Sequence, residues 1–365
     1  MVFVMRAWKY KRLTPMVIGQ RLELIESKDI IDLVGKKMDY IHLMLSKTPY
    51  QIELQEIHDI HLYSASIENV LLKNYIKTCE VIKDNSPKNI RFLLSAILKK
   101  FEINNIKAIF RAKWAGISVN EAMKFIAPFG TMDELRCKSI FENSKSVIDV
   151  IEHLSDVEYG PVLKEALSNH KDAEVLQVIE TFLNNYVYKE IYKAVGKLKG
   201  RDKKIAKTVL GIEIDSKNIM IILRSISLKI PKNQIKHYLL PTSQIFSEKE
   251  LETAIETNDT QSSIESLLNT AKSRNARDYQ YMLTELLTEY KASPSLSNLE
   301  VTLDRSLLKT SLRMLKRYTP YFNIALILAF LNAKWFEVRN LRAILRGTEG
   351  GVHPERIMKL LILPN

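Results

Sequence analysis

Residues 322–346, FNIALILAFLNAKWFEVRNLRAILR, carry the pattern on which the fold of the chain rests. Its apolar run from Ile324 to Leu331 continues to Trp335 and Phe336 and carries no charge before Lys334. It is too short to cross a bilayer, so it reads as a helix buried on most sides. Glu337-Val338-Arg339-Asn340 reads as a polar break, with a second helical stretch from Leu341 to Arg346. Part of this stretch occurs three times. The pattern is acid-x-x-Asn-(Ile/Leu)-x-x-Ile-(Phe/Leu)-Arg. It appears with Glu102, Asn105 and Arg111, with Asp215, Asn218 and Arg224, and with Glu337, Asn340 and Arg346. The prolines that follow are Pro128, Pro241 and Pro364, at nearly equal distances from the three arginines.

Other landmarks return in the same order. Ser27-Lys28 with Ile30-Ile31-Asp32 is repeated by Ser144-Lys145 with Val147-Ile148-Asp149. Leu45-Ser46 and Tyr50 are matched by Leu154-Ser155 and Tyr159. Ile67-Glu68 with Leu71 returns as Ile179-Glu180 with Leu183 and as Leu299-Glu300 with Leu303. Concordant spacing at several landmarks indicates an internal triplication with units 1–128, 129–241 and 242–365. That period is far longer than the roughly 20–50 residues of solenoid repeats, so each unit is expected to be a small helical domain. Three related domains in one chain suggest a pseudo-threefold body, a ring or funnel around an axis.

Composition agrees with helices. The chain has 365 residues, of which only 11 are Gly and 11 Pro, few for a protein built on many turns. Stretches rich in Leu, Ile, Lys and Glu support an all-α fold. The net charge is +12. That balance permits nucleic acid, an anionic membrane surface or an acidic partner, and selects none of them. The basic opening, with Arg6, Lys9, Lys11 and Arg12 among Trp8 and Tyr10, reads either as a helix lying on something acidic or as a solvated face. Cys79 and Cys137 are the only cysteines, which suits a reducing compartment and neither a disulfide framework nor a zinc site. The first residues have no signal-peptide pattern, and no run of about 20 apolar residues is present.

No catalytic signature appears. Gly347-Thr348-Glu349-Gly350-Gly351 is glycine-rich, but it follows a helix and lacks the lysine of a phosphate-binding loop, so it reads as a helix-ending turn. His58 and His61, beside Glu56 and Asp59, share a helical spacing but have no second ligand cluster, so no metal site is expected. Nothing calls for a cofactor. The triplicated pattern has a structural reading. The acid is expected at a helix start and the Arg nearer the C-terminal end, each where the helix dipole favours it. The Asn amide is expected to satisfy backbone groups where two helices meet. The pattern is then a fold-defining joint, and the alternative is partner contact by at least one Arg.

At these residues the chain resembles a known family. Ile327-Leu328-Ala329 with Leu331, followed by Glu337–Gly347, looks like the C-terminal hallmark of the C subunit of the archaeal A-type (A/V-type) ATP synthases. Its eukaryotic counterpart is the d subunit of the vacuolar ATPase. Arg6-Ala7 with Arg12-Leu13 resembles that family's opening, and Leu45, Thr48 and Tyr50 its next landmark. The resemblance implies three similar helical domains forming a funnel, without catalytic residues. It implies a monomer within a larger complex, at the cytoplasmic face of the membrane. There it would sit on the rotating proteolipid ring and receive the foot of the central shaft, subunits D and F. Arg339, Arg342 and Arg346, on the best-matching motif, are the expected contacts. A basic helical nucleic-acid-binding protein is the alternative. It requires basic residues gathered on one face with stacking aromatics, and here they are distributed.

Overall fold

The computed structural model describes residues 8–55, 64–123, 126–127, 129–130, 132–168, 175–257, 259–318 and 322–363. Arg6, Ala7, Glu56, His58, Asp59, His61, Pro128 and Pro364 lie outside the described residues. Among those described the chain is all-α, with no strand and one isolated bridge between Phe129 and Met132. Three helices stand out by length: Lys88–Trp114, Gly200–Ser227 and Ile324–Glu349. Each carries one copy of the repeated pattern.

The third helix corrects the sequence reading. Glu337-Val338-Arg339-Asn340 is no break, because one helix runs from Ile324 to Glu349. The polar residues are accommodated by burial with partners: Glu337 and Asn340 are both buried. The run Ile324–Leu331 is buried at every residue, so this segment is enclosed on all sides. Each fully buried Leu, Ile or Phe contributes roughly 1.5–3 kcal/mol relative to exposure. Ser27, in the repeated landmark, is the first residue of the helix Ser27–Asp32.

All three long helices stop in the same way. Gly116, Lys229 and Gly351 adopt left-handed backbone conformation, with φ of 64°, 55° and 61°. The next residue reaches back into the helix: Ile117 N–H donates to Ala112 O at 2.9 Å, Ile230 N–H to Ser225 O at 2.9 Å, and Val352 N–H to Gly347 O at 2.8 Å. This is the Schellman closure, which satisfies carbonyls that a helix end leaves bare. Glycine adopts that conformation without a Cβ penalty, whereas Lys229 adopts it against one. Lys229→Gly is therefore expected to stabilise the fold by about 0.5–1 kcal/mol, the relieved strain outweighing the added freedom of the unfolded chain. A denaturation midpoint that falls on this substitution would refute the assignment.

The chain divides into two compact units. One holds residues 38–194, and the other 1–37 with 195–365. In the first, the Ser64–Asp84 helix packs along Lys88–Trp114, whose further neighbours are Glu134–Asn143 and Val147–His153. In the second, Gly200–Ser227, Leu296–Arg317 and Ile324–Glu349 pack on one another. Leu13–Leu22 and Pro354–Leu360 also lie on Ile324–Glu349. The borders of these compact units fall inside the first two sequence repeats, after residues 37 and 194.

Candidate functional site

Each repeated asparagine closes the same joint. Asn105 Nδ2 donates to Ala127 O at 2.6 Å, and its Oδ1 accepts from Ala127 N–H at 2.8 Å. Asn218 does the same for Leu240, at 3.3 and 2.8 Å, and Asn340 for Ile362, at 2.8 and 2.8 Å. In all three the clasped residue lies 22 positions further along. An amide side chain matches a backbone N–H and C=O as another peptide group would, which is why the residue is Asn rather than Asp or Leu. The chain leaves the long helix, makes one short helix, and is brought back beside the Asn. The short helices are Val119–Met123, Lys232–Tyr238 and Pro354–Leu360. Asn105 also donates to Met132 O, at 2.9 Å.

The acids correct an expectation. Glu102, Asp215 and Glu337 are not at helix starts; they lie within the long helices and are buried. Standing three residues before Asn, each shares its inward face. Asp215 accepts from the Ser243 hydroxyl at 2.6 Å, the Tyr279 hydroxyl at 2.7 Å, and the N–H groups of Gln244 at 3.0 Å and Ile245 at 3.3 Å. It thus extends the Asn218 clasp into the following loop. Burial pushes the Asp215 carboxyl above its ordinary value, while these donors pull it back. Burial and the adjacent Asp215 push the Tyr279 hydroxyl well up, so it remains a donor. In the first copy, Glu102 accepts from the Tyr159 hydroxyl at 3.4 Å, and Gly130, in left-handed conformation, passes against its carboxylate. In the third, Glu337 accepts from Ile25 N–H at 2.6 Å and from Lys334 at 2.8 Å, an ion pair with both partners buried. Buried carboxylates of this kind hold only when paired and hydrogen-bonded. Their donors come from distant segments, so dipole reasoning on one helix could not place them.

The arginines sit in the last turns of their helices, as the pattern predicts. Arg111 pairs with Glu180 and Arg224 with Glu300, each at 2.6 Å. Both glutamates belong to another repeated landmark, Glu68, Glu180 and Glu300, and that shared periodicity was the signal for the pairing. These pairs are exposed, so each is worth at most about 1 kcal/mol. Arg339 forms an ion pair with Asp304 inside the chain, and burial pulls its guanidinium down from its ordinary value. Arg342 is half-buried and Arg346 exposed.

Chemistry elsewhere is sparse. No group of three or more metal-ligating side chains occurs among the described residues, and His58 and His61 are not among them. Cys79 and Cys137 are buried thiols pushed up to about 12 by desolvation, far from the thiolate form that reacts. Among the described residues, no helix is long and apolar enough to cross a membrane.

Comparison with known proteins places this architecture. Residues 13–360 match the family described as ATP synthase (C/AC39) subunit. The A-type ATP synthase C subunit of Methanothermobacter thermautotrophicus is 29% identical over 296 residues, covering 81% of this chain and 74% of that one. That of Methanocaldococcus jannaschii is 26% identical over 340 residues, 93% and 80% of the two chains. That of Methanobrevibacter smithii is 27% identical over 373 aligned positions, 95% and 93%. With one family pattern spanning residues 13–360 and all three repeated asparagines, the chain belongs to the ATP synthase (C/AC39) subunit family.

Proposed function

We propose that this chain is a non-catalytic rotor subunit of an A-type ATP synthase, the piece that joins the central shaft to the membrane proteolipid ring. It receives the foot of the shaft, subunits D and F, on one side and grips the ring on the other. It works at the cytoplasmic face of the membrane, as one copy within the complex and without a cofactor. The observation that carries this reading is the family match over residues 13–360, with relatives named as the C subunit of A-type ATP synthases along most of their length. The repeated joint supports it. Three long helices, each clasped by Asn and closed by the same turn, suit three similar domains, 1–128, 129–241 and 242–365, in a pseudo-threefold, funnel-like body. Close-packed helices transmit strain with little compression, as a torque-bearing part requires. Contact with a partner is assigned to the helix face that carries Arg339, Arg342 and Arg346, by at least one of them.

The test is co-purification from native membranes through an affinity tag on this chain. The expected result is recovery of shaft and proteolipid subunits in fixed ratio. Recovery of the chain alone, or with nucleic acid in their place, would overturn the reading.

A further inference from the structure

The helical turn at residues 8–10 and the helix Leu13–Leu22 show two apolar faces. One is packed inward through Tyr10, Leu13 and Val17, all buried. The other faces out. Trp8 is 65% exposed and Leu22 83%, and between them lie Lys11, Pro15 and Ile18. With Phe322 these residues line a groove of about 670 Å³.

Positions 8, 11, 15, 18 and 22 follow alternating steps of three and four. That is the spacing by which one helix receives another along a seam. Gly19 lies on the same face, and a Cβ built there meets nothing within 4 Å, so a second backbone can approach closely. Charge narrows the occupant further. Residues 8–22 contain Lys9, Lys11, Arg12 and Arg21 and no carboxylate. Lys9 is held by Asp202 at 2.9 Å, whereas Lys11, in the groove's lining, and the adjacent Arg12 are exposed, with the Lys11 ammonium 3.6 Å from the Trp8 ring centre.

We infer that this groove is a docking seam for one amphipathic α-helix of another subunit of the synthase. That helix presents apolar side chains at the same three-four spacing, with carboxylates toward Lys11 and Arg12. The inference rests on the proposed function, and goes beyond it by naming the surface and the kind of segment that fills it.

Benzoylphenylalanine installed at Gly19 in the intact, purified synthase tests it. Ultraviolet light is expected to link position 19 to one peptide of one neighbouring subunit, helical in pattern and bearing acids beside its apolar stripe. The same label at Tyr281, 65% exposed on the helix Arg277–Ala292 of the same compact unit, should not capture that peptide. In parallel, the double variant Ile18→Glu with Leu22→Glu should melt like the unaltered chain. Its retention in the complex should fall at least about tenfold, because two charges would be buried in an apolar seam. Crosslinks only to lipid, to a second copy of this chain or to its own residues would overturn the inference, as would unimpaired assembly of the double variant. Loss of the proposed function itself would show differently: the unaltered chain would not co-purify with shaft or ring.

Discussion

Asn218→Ala is expected to destabilise the unit that contains it by about 3–5 kcal/mol. The substitution leaves the N–H and C=O of Leu240, a residue only 5% exposed, without the partner that now meets both. A buried polar group left unsatisfied costs roughly 1–3 kcal/mol, and two are created at once. Asn340→Ala should act alike through Ile362, which is fully buried. Asn105→Ala should do so through Ala127 and Met132. Asn→Asp is no rescue, since a carboxylate accepts from the N–H but repels the carbonyl and carries charge into the interior. Asn143→Ala supplies the control: that side chain is exposed, bonds only within its own helix, and should cost less than about 0.5 kcal/mol. Urea denaturation followed by circular dichroism separates the cases. Clasp variants that unfold at the same urea concentration as the control would remove the joint from the account.

Why the joint was half legible in the sequence follows from what its residues contact. The Asn recurs because its partner lies a fixed 22 residues on, within the same repeat, so the constraint returns with the period. Two of the arginines recur for a similar reason, Arg111 and Arg224 being matched by Glu180 and Glu300 in a second periodic landmark. The acids kept their position but not their partners. Tyr159 and Tyr279 answer two of them, whereas Ile25 N–H and Lys334 answer the third. A carboxylate whose donors differ from copy to copy leaves no partner pattern to read. It therefore resembled a helix-start charge until the surrounding chain was in place. The misread break at Glu337–Asn340 has the same origin, because hydropathy registers polar side chains but not the buried ion pair that accommodates them. The outward stripe from Trp8 to Leu22 was hidden for another reason. Apolar residues on both faces of a helix look alike in sequence, and only burial distinguishes Leu13 and Val17 from Leu22.

The largest effect predicted is functional. Removing this subunit from the synthase is expected to reduce ATP-driven ion pumping to near zero while the catalytic head continues to hydrolyse ATP. On the proposed role, the chain transmits rotation and contributes no residue to ATP chemistry. The head's turnover then needs only the head, whereas ion movement needs the ring to turn with the shaft. A shaft and ring that both grip this protein need not touch each other extensively. Adding the chain back should restore pumping without changing the head's intrinsic hydrolysis. A chain carrying Asn218→Ala and Asn340→Ala together should restore it poorly, because a body with two joints opened no longer holds a fixed angle between its ends.

The most direct measurement is made in vesicles reconstituted with the synthase with and without this subunit, following ion uptake and ATP hydrolysis in the same sample. Uptake is expected to disappear with the subunit and to return with it, while hydrolysis persists throughout. Full uptake without the subunit, or loss of the isolated head's hydrolysis when it is removed, would exclude the coupling role.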